Sequence, residues 1–160
     1  MIQIVHRSLP AGGRLFAGPM PSPPYAASAA ALRDAGVTTV ACLLDRNELP
    51  SALEEAFAEC GLRLLHFPVP DMGVPRDVRA FRTYLRGLLD CLAAGGTIYL
   101  HCFAGLGRTG TALACLLMLV GESPETAVAA VRERYRREAV ESGGQRRFVE
   151  AFGADAAGAD

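Results

Sequence analysis

Residues 101–110 read HCFAGLGRTG, and this stretch decides how the chain around it folds. The residues before it, 96–100, read GTIYL, a turn glycine followed by apolar β-formers, which predicts a buried strand. The residues after it, 111–120, are almost continuously apolar and favour a helix. The sequence therefore predicts a strand, a tight loop and a helix in succession.

A loop in this position suits an anion, because a helix N-terminus presents unpaired N–H groups and the positive end of the macrodipole. Gly105 and Gly107 permit the positive φ angles that turn N–H groups inward, and Arg108 adds a fork for two phosphate oxygens. The same positive field favours a thiolate at Cys102. The predicted phosphate-binding residues are Phe103, Ala104, Gly105, Leu106, Gly107 and Arg108.

The pattern His-Cys-x5-Arg-Thr-Gly resembles the signature loop of the cysteine-dependent protein tyrosine phosphatases, and its interior resembles their dual-specificity branch. Residues 66–75, HFPVPDMGVP, are similar to the general-acid loop of that family, and residues 145–149, QRRFV, are similar to its glutamine segment. Together with residues 41–44 and 48–49, these segments follow one another along the chain in an order that is similar to that of the small kinase-associated phosphatases. The resemblance covers roughly residues 14–152.

The resemblance implies a hydrolase that removes phosphate from phosphotyrosine, phosphoserine or phosphothreonine of proteins, or from small phosphomonoesters. Cys102 would be the nucleophile and would form a cysteinyl-phosphate, while Arg108 holds the phosphate oxygens. Asp71 would protonate the leaving oxygen, and the hydroxyl of Thr109 would stabilise the thiolate. No metal and no organic cofactor is expected, since Arg108 and the loop amides supply the positive charge.

The general acid has two candidates. Asp71 lies on an apparent loop, where aspartate is common in turns, at the position that the resemblance assigns to the acid. Asp45 is the alternative, because it follows a central strand at the sheet edge where ligands of α/β proteins gather. Asp77 is better explained as a residue that starts a helix.

Other candidates have a structural interpretation beside the functional one. His101 is either a core histidine or a residue that orders the loop, and the two are compatible. Thr109 could instead cap the helix. Gln145 is either a solvated helix residue or, by resemblance, the residue that orients the hydrolytic water. Cys42 is interpreted as a core residue, and the alternative is a resolving cysteine that would trap oxidised Cys102 as a disulfide.

Composition restricts the function further. The net charge of −1 gives no electrostatic case for nucleic acid or for a membrane as partner. All sixteen basic residues are arginine, which favours a GC-rich, bacterial origin. The five cysteines are an odd number without metal-ligand spacing, and the N-terminus lacks the apolar core of a signal peptide. A monomer in the reducing cytoplasm is expected.

The chain length of 160 residues and the alternation of strands and helices predict a single α/β domain with a mainly parallel central sheet and helices on both faces. The domain is expected over residues 1–152, with a flexible tail at 153–160. The predicted strands are 37–44, 62–67 and 97–100, and the predicted helices are 26–35, 50–60, 75–92, 108–120, 123–137 and 143–152.

Two other functions use a similar loop. Inositol phosphate or phosphoinositide phosphatases usually carry lysines inside the loop, whereas this chain has Phe103 and Leu106 there and contains no lysine. A catalytically inactive phosphate-binding module is the second alternative. It is disfavoured because the nucleophile, the arginine, the hydroxyl and the acid are all present.

Overall fold

A central five-stranded sheet organises the computed structural model, which describes residues 1–157. The strands lie in the order β1-β2-β5-β3-β4, and all neighbouring pairs are parallel except β1 with β2. This confirms the predicted mainly parallel sheet. The strands are β1 (Ile2–Ile4), β2 (Arg14–Gly18), β3 (Thr39–Cys42), β4 (Arg63–His66) and β5 (Thr97–His101).

Helices cover both faces of this sheet, as the sequence predicts. The helices are α1 (Tyr25–Asp34), α2 (Ser51–Glu59), α3 (Val78–Ala93), α4 (Gly107–Leu119), α5 (Pro124–Arg134) and α6 (Gly143–Ala157). Side chains alternate across a strand, so Tyr99 of β5 packs with α1 and α2 while Ile98 and Leu100 pack with α3 to α6. Strand β5 is therefore buried on both faces, which explains the apolar run at its centre, residues 98–100.

Two of these helices begin at side-chain caps that the sequence indicates. The Asp77 carboxylate accepts a hydrogen bond from the Ala80 N–H at 2.8 Å, so Asp77 starts α3 as expected. The Ser123 hydroxyl accepts one from the Thr126 N–H at 3.3 Å at the start of α5. None of the helices within residues 1–157 is long and apolar enough to cross a membrane.

The structure departs from the sequence-based elements at both ends of the chain. Strands β1 and β2 were not predicted, because they are short and are defined by pairing, of β1 with β2 and of β2 with β5, rather than by a local pattern. Helix α6 continues to Ala157 instead of ending at Phe152, in keeping with the helix-forming alanines there. The expected tail from Gly153 thus begins within a helix, and residues 158–160 lie outside the described residues.

The parallel arrangement brings distant segments together at one edge of the sheet. Strands β3, β4 and β5 all point the same way, so the segments that follow them meet at their carboxyl ends. Cys102 follows β5, Glu48 follows β3, and Asp71 follows β4. The chemically relevant side chains therefore reach one place from separate parts of the sequence.

Candidate active site

The loop that carries Cys102 connects β5 to α4, and its shape depends on glycine. Cys102 is buried, with 2% of its surface exposed. Gly105 has a φ of 73°, and a Cβ there would lie 2.5 Å from the backbone of Gly18. Gly107 lies in α4 without a positive φ, so the expectation for this residue was wrong. It is glycine because a Cβ would lie 2.6 Å from Nε2 of Gln145.

Two carbonyl groups of this loop accept hydrogen bonds from residues outside the loop. The N–H of Met20 donates to the carbonyl of Phe103 at 2.9 Å, and the hydroxyl of Tyr135 donates to the carbonyl of Gly105. Within residues 1–157, the N–H groups of residues 103–106 donate to no acceptor in the chain. The next N–H groups belong to the first turn of α4, which has no intrahelical acceptors for them. The loop can therefore offer its N–H groups to an anion.

Arg108 is buried beside Cys102 and makes four side-chain hydrogen bonds. Its Nη1 donates to Oε2 of Glu48 and to the carbonyl of Val69 at 3.0 Å. Its Nη2 donates to Oε1 of Glu48 and to Oδ1 of Asp71, both at 3.0 Å. Its Nε–H has no acceptor among the described residues. The guanidinium is thus fixed in place with one donor left for a ligand.

The pKa values of this ion pair follow from these contacts. The hydrogen bond from Arg108 lowers the pKa of Glu48 below its ordinary value of 4.5, although partial burial opposes the shift. Burial acts to lower the pKa of Arg108, but the hydrogen bonds to Glu48 and the surrounding negative charge outweigh it and raise the pKa. Both side chains are therefore charged at neutral pH.

The structure brings Asp71, and not Asp45, to the Cys102 loop. Asp71 lies in a turn that is closed by the Gly73 N–H on the Pro70 carbonyl at 3.0 Å. It shares with Cys102 and Arg108 a cavity of about 190 Å³. Asp45 lines a different cavity, and its carboxylate accepts a hydrogen bond from the Arg46 N–H at 2.7 Å.

Gln145 lines the same cavity as Cys102 and is fully buried. Its Oε1 accepts hydrogen bonds from the N–H groups of Glu141 at 3.0 Å and Ser142 at 3.1 Å. Its Nε2 donates to the carbonyl of Gly73 at 3.3 Å. Gln145 is therefore not a solvated helix residue, because it connects the start of α6 to the turn that carries Asp71.

His101 is a core histidine that also contacts the loop. It stacks on Tyr99 with 5.7 Å between ring centroids, and Phe57 approaches it edge-on. Its Nδ1 lies 3.1 Å from the Cys102 carbonyl, and burial lowers the pKa of His101 to about 4. The imidazole is therefore neutral at neutral pH, with Nδ1–H as the donor.

Two hydroxyl and thiol groups near the loop also have defined environments. The Thr109 hydroxyl is buried and has no hydrogen-bond partner in the described residues, so the alternative that Thr109 caps the helix was wrong. Cys42 is fully buried on β3, as expected of a core residue. Burial raises the pKa of the Cys42 thiol to about 12, which keeps it protonated and unreactive.

Comparison with known proteins identifies the family to which this site belongs. Residues 17–122, more than half of the chain, match the family model described as a polymorphic toxin system, DSP-PTPase phosphatase. The chain belongs to this DSP-PTPase family. The resemblance of the signature loop to dual-specificity phosphatases is thereby confirmed.

Individual relatives agree with this family. The human cyclin-dependent kinase inhibitor 3 is 28% identical over 128 residues, which are 76% of this chain and 59% of that protein. The chain thus spans less than two thirds of the length of this relative. A crystal structure of kinase-associated phosphatase has a TM-score of 0.79 at 25% identity, covering 92% of this chain and 88% of that chain. The active form of Tk-PTP has a TM-score of 0.78 at 29% identity, covering 94% and 99%.

Two residues of the DSP-PTPase site were missed as functional candidates. Glu48 was noted only as part of a resembling segment, without a role, although it holds Arg108. Tyr135 was counted within an arginine-rich helix that was expected to reach Arg137. Helix α5 ends instead at Arg134, and Tyr135 turns its hydroxyl to Gly105. Its one signal in the sequence is a lone aromatic residue in a run of charged residues.

Proposed function

We propose that this DSP-PTPase domain hydrolyses phosphomonoesters of proteins, on tyrosine, serine or threonine, through a cysteinyl-phosphate intermediate. The observation that carries the proposal is the meeting of Cys102, Arg108 and Asp71 in one cavity of about 190 Å³. These side chains supply a nucleophile, an anion-binding fork and a proton donor, which together are the groups that this reaction requires.

In the first step the Cys102 thiolate attacks the phosphorus atom, and the phosphorus–oxygen bond to the leaving group breaks. The free N–H groups of residues 103–106 and the guanidinium of Arg108 bind the three remaining oxygens, whose charge they stabilise. Asp71, in its protonated form, transfers its proton to the leaving oxygen. The products are a free alcohol or phenol and a cysteinyl-phosphate.

Substrate binding changes the contact between Arg108 and Asp71. A phosphate that binds bidentately to this edge of the guanidinium accepts hydrogen bonds from Nε and Nη2 of Arg108. In the structure, Nη2 donates instead to Asp71 at 3.0 Å. The incoming phosphate therefore displaces the Asp71 carboxylate from Nη2. Asp71 is released next to the phosphate, where it can reach the leaving oxygen.

In the second step a water attacks phosphorus, and the bond to the Cys102 sulfur breaks. Asp71 accepts a proton from this water, and the buried side-chain amide of Gln145 orients the water molecule. The unpaired Thr109 hydroxyl donates to the departing sulfur. His101 acts as a positioning residue, because its Nδ1 contacts the carbonyl of Cys102.

The cavity favours a substrate with a single phosphate. Arg108 is the one cationic residue among those that line it, and two acidic residues, Asp71 and Glu141, line it as well. A second phosphate, as in an inositol polyphosphate, would meet negative charge there. We further propose that the enzyme acts as a monomer in the reducing cytoplasm, where Cys102 stays a free thiol, and that residues 1–152 form the catalytic domain.

The proposal is tested with p-nitrophenyl phosphate. Cys102→Ser should abolish turnover while still binding vanadate, whereas Cys60→Ser, a cysteine outside the cavity, should behave like the wild type. Excess EDTA should leave activity intact and iodoacetate should remove it, because the reaction uses a thiolate and no metal. Appreciable turnover by Cys102→Ser, or loss of activity in EDTA that added metal restores, contradicts the mechanism.

A further inference from the structure

Two apolar side chains lie at the mouth of the Cys102 cavity and are largely open to solvent. Met72 follows Asp71 and is 55% exposed, and Phe103 follows Cys102 and is 57% exposed. Both line the cavity together with Cys102, Asp71 and Arg108. Among the described residues, only two other large hydrophobic side chains are comparably exposed, Met1 and Val5. Half of the large exposed apolar side chains among the described residues thus lie next to the reacting groups.

The backbone at Met72 is unfavourable for a residue with a side chain. Its φ is 54°, a left-handed conformation that glycine adopts at no steric cost. The turn that contains it is closed between Pro70 and Gly73 and would accept glycine at this position. An exposed methionine in a strained conformation contributes little to folding, so its side chain points to a role in binding.

Charge restricts what these side chains can contact. The phosphate end of a substrate lies at Cys102 and Arg108, so the leaving group extends past Asp71 toward the mouth. Arg108 is only 4% exposed, and the other charged residues that line the cavity, Asp71 and Glu141, are acidic. The mouth therefore disfavours a leaving group with negative charge, and the exposed side chains of Met72 and Phe103 suit an apolar one.

We propose that Met72 and Phe103 form an apolar clamp that holds an aromatic leaving group, so that the enzyme prefers aryl over alkyl phosphates. The proposal rests on the phosphatase function proposed above and adds two specificity-determining residues. A phenylalanine ring packs favourably against another aromatic ring, and a methionine sulfur makes favourable contacts with ring edges. An alkyl leaving group offers neither contact.

The clamp is tested with substrates that differ in size more than in reactivity. Phenyl phosphate and 2-naphthyl phosphate release phenolic oxygens of similar basicity, but the naphthyl ring offers more surface to the clamp. The wild type should have a kcat/KM that is roughly tenfold higher for 2-naphthyl phosphate. Phe103→Ala and Met72→Gly should each reduce this ratio by about threefold to tenfold.

The choice of variants distinguishes an effect on the substrate preference from an effect on folding. Glycine adopts the φ of Met72 without strain, so Met72→Gly should have a melting temperature at least as high as that of the wild type. Phe103→Leu should keep only part of the preference, because it retains apolar surface and loses the ring. Val5→Ala removes an exposed apolar side chain elsewhere and should leave the ratio unchanged.

A binding measurement makes the result independent of turnover. The affinity of the wild type for 2-naphthyl and phenyl phosphonates, which lack the scissile ester oxygen, should show the same preference by calorimetry. Equal ratios in the wild type and in both clamp variants, in kinetics or in binding, overturn the clamp. Loss of all turnover in the wild type with an intact naphthyl preference in binding would instead contradict the proposed reaction and leave the clamp supported.

Discussion

Oδ1 of Asp71 accepts a hydrogen bond from Nη2 of Arg108 at 3.0 Å, although the Asp71 side chain is 70% exposed and Arg108 is buried. The contact occupies a donor that a bidentate phosphate would use. Asp71 and the substrate therefore compete for Arg108, and two properties of the enzyme depend on this competition: its affinity for anions and the timing of proton transfer.

Removing the competitor should strengthen anion binding. Asp71→Ala frees Nη2 and removes a nearby negative charge, so inorganic phosphate should inhibit this variant more strongly. An exposed ion pair is weak, so the inhibition constant should fall by up to about fivefold. Asp34→Ala, which breaks an exposed pair with Arg33 on α1, is the matched control. Weaker phosphate binding by Asp71→Ala would show that the two do not compete.

Asp71 should also carry the proton for the leaving group. Asp71→Asn should lower kcat/KM for phenyl phosphate by roughly 10²–10⁴-fold and affect p-nitrophenyl phosphate far less, since nitrophenolate needs little protonation. The alkaline limb of the pH–rate profile should disappear, while the acidic limb stays. Asp45→Asn should keep the profile of the wild type. The opposite pattern would assign the acid to Asp45.

Glu48 should stabilise the fold as well as orient Arg108. Glu48→Gln replaces a charge-assisted pair by weaker hydrogen bonds and should lower the free energy of unfolding at pH 7 by about 1–3 kcal/mol. Its kcat/KM should also fall, because the guanidinium loses its anchor. Urea unfolding and steady-state kinetics measure the two effects.

The same variant gives a pH dependence with a defined sign. The pKa of Glu48 lies below 4.5 in the folded protein, so its contribution to stability is complete above pH 4.5 and is lost as the pH falls through the folded pKa. Glu48→Gln lacks this group, so the stability difference between the two proteins should shrink as the pH drops below 4.5. A difference that stays constant to about pH 3 would contradict the role of this ion pair.

Tyr135 should affect activity more than another tyrosine of equal structural importance. Tyr135→Phe removes the hydrogen bond to the Gly105 carbonyl, and Tyr84→Phe removes the one to the Leu65 carbonyl. Each change should cost about 0.5–1.5 kcal/mol of stability. Only Tyr135→Phe should lower kcat/KM several-fold, because Gly105 belongs to the loop around Cys102. Equal activities of the two variants would limit Tyr135 to a structural role.

The parts of this structure that are local in sequence could be predicted from it. The strand, loop and helix around Cys102 are contiguous, and their apolar runs and glycines identify them without knowledge of the fold. The central strand β3 is likewise evident from an apolar run. The roles of Cys102, Arg108, Asp71, Thr109 and Gln145 in catalysis remain predictions that the experiments above test.

Contacts between distant residues could not be predicted in this way. Glu48 and Arg108 are 60 residues apart, and Gly105 and Tyr135 are 30 apart. No local pattern indicates that such residues meet, because the sheet order decides it. The requirement for glycine at position 107 could not be predicted either, because it comes from the close approach of Gln145, which lies in another helix.

The contacts of Tyr135 with the Cys102 loop and of Gln145 with the Asp71 turn have a consequence for synthesis of the protein. A ribosome delivers Cys102 and Arg108 well before Tyr135 and Gln145, which follow them in the chain. The nascent chain then holds the nucleophile but lacks the hydroxyl that fixes Gly105 and the amide that holds the Asp71 turn. If the proposed function holds, a nascent chain that ends before residue 145 should therefore lack phosphatase activity, because neither of these two contacts is complete.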